Sequence, residues 1–254
     1  MSFAFARFKE TVNPDFCRNY LLNYQVDSYL EQKKIADLLL TNTFLFEDNW
    51  DMEPCPIPYH LETITWQEPV TDDPEWHFML NRQTYLQKLI LVYLVERDER
   101  YLLTAKRLIL DWIESAIPLS PQGVATRTLD TGIRCFAWVK CLIFLNLFDA
   151  LTKQEERLIL ASLEKQLQFL QANYLDKYSL SNWGIFQTTA ILLAGAYFGS
   201  DLDITAATAF ARQELPQQIA LQVLEDGSQF EQSTMYHVEV LKALLELTAL
   251  VPGY

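Results

Sequence analysis

Four short runs hold most of the residues able to do chemistry. Ser181-Asn182-Trp183-Gly184, with Gln187 close behind, sets a carboxamide and an indole beside a helix-capping serine. Asp226-Gly227-Ser228-Gln229-Phe230-Glu231-Gln232-Ser233 leads into Met235-Tyr236-His237. Ser228 with Glu231 three residues on has the form of a capping box, so a helix is expected to start near Ser228. Tyr236 would then lie about two turns in, and Gln229, Gln232, Ser233 and Tyr236 would share one polar flank. A buried helix that opens with so many hydrogen-bonding side chains must find them partners or face a solvated cleft. Arg127-Thr128-Leu129-Asp130-Thr131-Gly132-Ile133-Arg134 offers two arginines and an i,i+4 pair, Asp130 with Arg134. Glu75-Trp76-His77-Phe78-Met79-Leu80-Asn81-Arg82 gathers aromatic, basic and amide groups at a helix entry, a mixture common to carbohydrate sites and ordinary helix ends. Each run has a bland alternative: cap chemistry over a core tryptophan, a solvated first turn, simple helix support, or an unremarkable helix end.

Other chemistries leave no trace. There is no HExxH, P-loop, GxSxG or GxGxxG pattern. His60, His77 and His237 are far apart in sequence, so neither a metal nor a cofactor is expected. Asp and Glu are plentiful enough for a paired-carboxylate glycosidase, but no pair is singled out.

These residues must be positioned by helices. Half of the 254 residues are hydrophobic and only seven are glycine, which disfavours turn-rich sandwiches and barrels. Leu80–Glu96, Glu99–Ala116, Leu129–Phe148, Gln154–Tyr174, Asn182–Phe198, Asp203–Leu224 and Gln229–Val251 each repeat apolar residues at helical spacing, with a break expected at Pro216. Short polar connections make them antiparallel hairpins. Leu89–Val95 and Ala190–Phe198 are apolar on nearly all sides, as in helices covered on more than one face. Two layers of helices in an α/α toroid, or a large bundle, would supply that cover. Residues 1–75 are different: a helical stretch from about Asp15 to Leu40 precedes a segment with Pro54, Pro56, Pro58, Pro69 and Pro74 among Trp50, Tyr59 and Trp66. Proline at that density favours extended chain, and three large aromatics mark an ordered arm. Residues 76–254 form the helical domain, which reads as truncated before a toroid is complete.

Charge limits the partners. Twenty basic residues against 33 acidic give a net of −13, which disfavours nucleic acid and anionic membrane surfaces. A polyanionic ligand would need a local cluster of arginines. No apolar stretch approaches the length of a bilayer span. Four scattered cysteines read as reduced thiols. The N-terminus lacks the pattern of a signal peptide, so a cytoplasmic protein is expected, or a secreted or periplasmic one if a leader has been removed.

In their order and spacing, the four runs resemble the helical domain of the heparinase II/III family of polysaccharide lyases, over most of the chain from about Trp50. The resemblance implies an all-α, incomplete α/α toroid, with the active site in a cleft against a C-terminal antiparallel β-sheet domain. Nothing in this chain resembles that β domain, which would act as a partner in cis and supply a further histidine. Some members carry an aromatic residue before the arginine matching Arg127; Thr126 stands here. The implied reaction is β-elimination at a uronate, on an acidic poly- or oligosaccharide. Asn182, Tyr236 and His237 take the catalytic positions. Trp76, Arg82, Arg127, Arg134, Trp183, Gln187, Gln229 and Glu231 are the expected substrate contacts. A glycoside hydrolase on the same toroid and a non-catalytic helical module are the alternatives. An open half-cleft would also offer apolar surface for a homo-oligomer.

Overall fold

The structure, a computed structural model, describes residues 2–47 and 54–251; Trp50 of the expected arm lies outside them. The arm begins with three helices, α1 (Phe3–Thr11), α2 (Pro14–Tyr24) and α3 (Val26–Leu39). Its proline-rich part is extended as expected. Strand β2 (Cys55–His60) pairs antiparallel with β1 (Thr43–Phe46), Thr43 opposite His60 and Phe46 opposite Cys55, with a bulge between. A two-stranded pair is all edge, which tolerates Pro56 and Pro58. Phe46 and Tyr59 bring their rings within 5.2 and 5.3 Å of Trp76, fastening the arm to the helical domain.

That domain comprises α4 (Pro74–Arg82), α5 (Leu86–Glu96), α6 (Glu99–Glu114), α7 (Thr128–Leu147), α8 (Lys153–Ala172), α9 (Asn182–Phe198), α10 (Thr205–Gln222) and α11 (Thr234–Leu250). Hairpins α5–α6, α7–α8 and α9–α10 place their first members inside, where α7 and α9 are buried almost throughout. Outer helices α8 and α10 keep broad exposed faces. Three contacts set the direction of the inner layer. A Cβ on Gly132 would lie 3.2 Å from the Phe186 carbonyl, Lys140 pairs with Glu246, and the Tyr197 hydroxyl donates to the Leu250 carbonyl. Each pair lies at a matched depth in its two helices, so α7, α9 and α11 run parallel and begin at one end. The architecture is an all-α, incomplete α/α toroid.

Two expected boundaries between α4 and α10 differ. The helix anticipated over Leu80–Glu96 is two helices, because Gln83 adopts the left-handed conformation (φ 54°). Its buried carboxamide accepts a 2.6 Å hydrogen bond from the Trp138 indole, so a tertiary contact sets the break. Pro216, in contrast, does not interrupt α10. It lies on the exposed face, where water can replace the hydrogen bond its ring removes.

Candidate active site

The common end of the inner helices is where the positive ends of their dipoles point, which favours negative charge there. At α9, Ser181 Oγ accepts from the Trp183 N–H at 3.3 Å and caps the helix. The turn at Asp176–Leu180 presses on the first residues so closely that a Cβ on Gly184 would stand 2.3 Å from the Tyr178 carbonyl oxygen. Asn182 is thereby fixed at the rim, 6% exposed, and its carboxamide has no protein partner among the described residues.

The 226–233 segment is not the helix start that its capping-box pattern suggested. Ser228 instead bonds Asp226 Oδ1 through its N–H (2.9 Å) and its hydroxyl (2.6 Å), and Gly227 turns the chain at φ 83°. Helix α11 begins at Thr234, capped by Ser233, which places Tyr236 in the first turn rather than two turns in. Glu231 is freed to serve a neighbouring helix. Its Oε2 accepts from the Asn182 N–H (3.3 Å) at the start of α9 and from Gln229 Nε2 (2.7 Å). Gln229 N–H in turn donates to His237 Nδ1 at 3.3 Å. Gln229 and Glu231 therefore form a clamp that joins α9 to α11 and orients His237.

A cavity of about 540 Å³ opens beside these first turns. Its polar end is lined by Glu75 and Arg82 of α4, Asn182 of α9 and Tyr236 of α11, and it continues between α5, α7 and α11 over apolar side chains to Lys88, Lys140 and Lys242. Above it lies an ion network. Asp130, fully buried, accepts from Arg82 Nε (2.8 Å) and from Arg127 Nε (2.6 Å) and Nη2 (3.1 Å), while Arg82 Nη1 also reaches Glu75 at 2.6 Å. Burial alone would lower the Arg82 pKa, but Asp130 and Glu75 more than offset it and raise the value. The Arg127 guanidinium lies 3.2 Å over the Phe78 ring and 5.8 Å from Trp183, which itself stacks on Tyr178.

Residues 4–252 match the family model for the Heparinase II/III N-terminus. The chain belongs to the heparinase II/III family. It is 24% identical over 229 residues to a heparin-sulfate lyase of Bacteroides stercoris, covering 83% of this chain and 34% of that one. A heparin-sulfate lyase of Pedobacter heparinus is 27% identical over 191 residues, with coverage of 72% and 28%. The fold is similar to the crystal structure of heparan sulfate lyase HepC from Pedobacter heparinus, with a TM-score of 0.70 and 23% identity over 98% of this chain and 40% of that one. The chain thus spans roughly a third of the length of these relatives.

Within this heparinase II/III fold, several expected substrate contacts turn out to hold the scaffold. Trp76 is 1% exposed in the aromatic core that receives the arm. Arg134 is sealed two turns below the rim, bonded to Gln166 Oε1, the Asn81 and Ala125 carbonyls and Thr131 Oγ1, and it forms no ion pair with Asp130. Burial lowers its pKa to about 10, which leaves it cationic at neutral pH. Gln187 is fully buried and donates to the Trp183 carbonyl at 3.0 Å. Asn182, Tyr236 and Arg82 line the cavity; Arg127 and Trp183 do not line it but lie next to it, Arg127 sharing Asp130 with Arg82, and His237 is joined to them through Gln229 and Glu231. Asp130, Phe78 and Glu75 were not anticipated there. The spacing from Arg127 to Asp130 held the signal, since i,i+3 meets on a helix as readily as the i,i+4 spacing to Arg134. Among the described residues, no group of three His, Cys, Asp or Glu is arranged to hold a metal, and no helix is long and apolar enough to cross a membrane.

Proposed function

We propose that this chain carries the helical side of the active site of a polysaccharide lyase that cleaves acidic, heparan-sulfate-like poly- or oligosaccharides by β-elimination. One observation carries the reading. The unengaged Asn182 carboxamide, the Tyr236 hydroxyl and the Arg82 guanidinium meet in one cavity, at the end where three inner helices start.

The chemistry asks for that combination. Removing the C5 proton of a uronate and breaking the bond from C4 to the leaving oxygen gives a 4,5-unsaturated sugar. The proton is barely acidic while the adjacent carboxylate is charged, because the developing enolate adds a second negative charge. Donors must therefore be aimed at that carboxylate before reaction. Asn182 supplies a carboxamide N–H, Arg82 supplies directed guanidinium N–H donors, and the helix N-termini supply positive potential. Tyr236 lines the same space and has the hydroxyl needed to exchange a proton with C5 or with the leaving oxygen. His237, held through Nδ1 by the Gln229 N–H, retains Nε2 for the tyrosine or the substrate. A hydrolase would need a carboxylic acid set apart from cations. The cavity carboxylates do not offer one: Glu75 pairs with Arg82, Glu239 with Lys242 and Glu246 with Lys140.

The test is ultraviolet absorbance during incubation with heparan sulfate, hyaluronan, chondroitin and alginate oligosaccharides, using the longest protein that the reading frame encodes. A rise that disappears in a folded Tyr236→Phe variant is expected. A flat trace from the folded protein across all four, or undiminished turnover by the variant, would overturn the reading.

A further inference from the structure

We propose that Asp130 is a positioning residue that fixes Arg82 and Arg127 as one two-guanidinium fork for a sulfate or carboxylate of the substrate. The inference rests on the reading that the cavity end takes an acidic saccharide. Asp130 cannot meet a ligand itself: its side chain has no exposed surface, while Arg82 keeps 11% and Arg127 24%. Both carboxylate oxygens are occupied, Oδ1 by both arginines and Oδ2 by Arg127. Arg82 Nη2 and Arg127 Nη1 have no protein partner among the described residues, so each guanidinium retains donors for a ligand. Phe78 and Trp183 fix the plane of Arg127.

The charges make the role separable from simple attraction. Arg82 and Arg127 are matched by Asp130 and Glu75, so the four groups sum to zero. What the cluster offers an anion is two guanidinium groups at a fixed spacing, whose directed bonds add energy and geometric specificity beyond net charge. Asp130→Asn adds one positive charge to the rim and removes the element that holds the two arginines together. Long-range attraction alone would then give tighter binding of an anionic oligosaccharide; a fork that needs its anchor gives weaker binding.

The experiment measures calorimetric affinity for a heparan sulfate octasaccharide alongside NMR of the arginine Nε–H groups, assigned with Arg→Met variants. In the unsubstituted chain, the Arg82 and Arg127 Nε–H groups should exchange slowly with water. In Asp130→Asn that protection should vanish and binding weaken about tenfold despite the added charge. Adding Asp130→Asn to Arg127→Met should cost clearly less than Asp130→Asn costs alone, because only Arg82 is left for the carboxylate to hold, whereas a residue that merely supports the fold would cost the same in both backgrounds. Equal or tighter binding by Asp130→Asn, or an undiminished loss in the double variant, would overturn the proposal. If Asp130→Asn does not fold, Arg127→Lys takes its place. It keeps the charge but cannot span both oxygens, so binding should fall several-fold, and unchanged binding would count against the fork. If the unsubstituted chain binds no octasaccharide, the acidic-saccharide reading falls separately. The exchange data then still decide whether Asp130 holds the arginines.

Discussion

Arg127 and Arg134 are seven residues apart, close to two turns, and so point from nearly the same side of the chain. Their surroundings have little else in common. Arg127 stands at the start of α7 with one carboxylate partner, two aromatic faces and a guanidinium edge still open. Arg134 is enclosed, with four hydrogen-bond acceptors around it and the Trp112 ring 4.2 Å away. Depth along the inner layer makes the difference. At the rim a charged group can keep donors for a ligand, whereas two turns down a buried guanidinium must be surrounded by acceptors of the protein, because an unmatched buried charge is costly. Removing the two side chains should therefore have unequal effects. Arg134→Ala leaves two buried carbonyls and the Gln166 side chain without their donor, and should cost about 3–5 kcal/mol in denaturant unfolding. Arg127→Ala should cost roughly 1–2 kcal/mol, because Asp130 keeps Arg82. Equal losses would mean that the rim is as tightly built as the interior and would undo the distinction.

The glycines of the two motifs sharpen it. Gly184 lies where helix and turn are pressed together, and an added Cβ would meet the Tyr178 backbone at 2.3 Å and the Gln218 side chain at 2.7 Å. Gly184→Ala must push the turn away from α9, at about 1–3 kcal/mol, and should displace Asn182 and Trp183 as it does so. Gly227 has open space around it and needs only its left-handed backbone, so Gly227→Ala should cost about 1 kcal/mol. Thermal unfolding gives both values, and oligosaccharide affinity should follow Gly184 more than Gly227. The reverse order would show that the hinge before α11, and not the packing under α9, governs the site.

The sequence was most legible where periodicity is strong. Helices α6 to α10 lie close to where apolar spacing put them, and the all-round hydrophobicity of Ala190–Phe198 announced an inner helix. Extended chain at Pro56 and Pro58 followed from proline geometry alone. It was least legible where a distant residue decides a local conformation. The break at Gln83 depends on Trp138, which is 55 positions away. The false capping box at Ser228 arose because Glu231 serves Asn182, 49 positions away, instead of its own backbone. The chemical types at the rim could be read from the four runs, but their sorting into ligand-facing and sealed groups could not. That sorting depends on depth in a packed layer, and Trp76, Gln187 and Arg134 look the same in sequence as residues that reach the cavity.

Two histidines extend the same contrast to pH, with the smallest effect. His237 stands behind the rim with Nδ1 engaged by a backbone N–H. His77 is 1% exposed on α4, and neither of its ring nitrogens has a hydrogen-bond partner among the described residues. Burial lowers the His77 pKa, against weaker opposing influences of the Trp66 backbone and Asp130. The unfolded chain, with an ordinary histidine near pH 6.5, then binds the proton more readily than the folded one. Stability from this group is present above that pH and declines as the pH falls below it, by no more than about 1.4 kcal/mol per pH unit. A His77→Leu variant removes the titration and fills most of the same space. Its unfolding free energy, compared with that of the unsubstituted chain from pH 7 to pH 5, should fall less steeply. Parallel curves would show that His77 takes up its proton without penalty, and so that water or a polar group reaches this part of the interior as it reaches the rim.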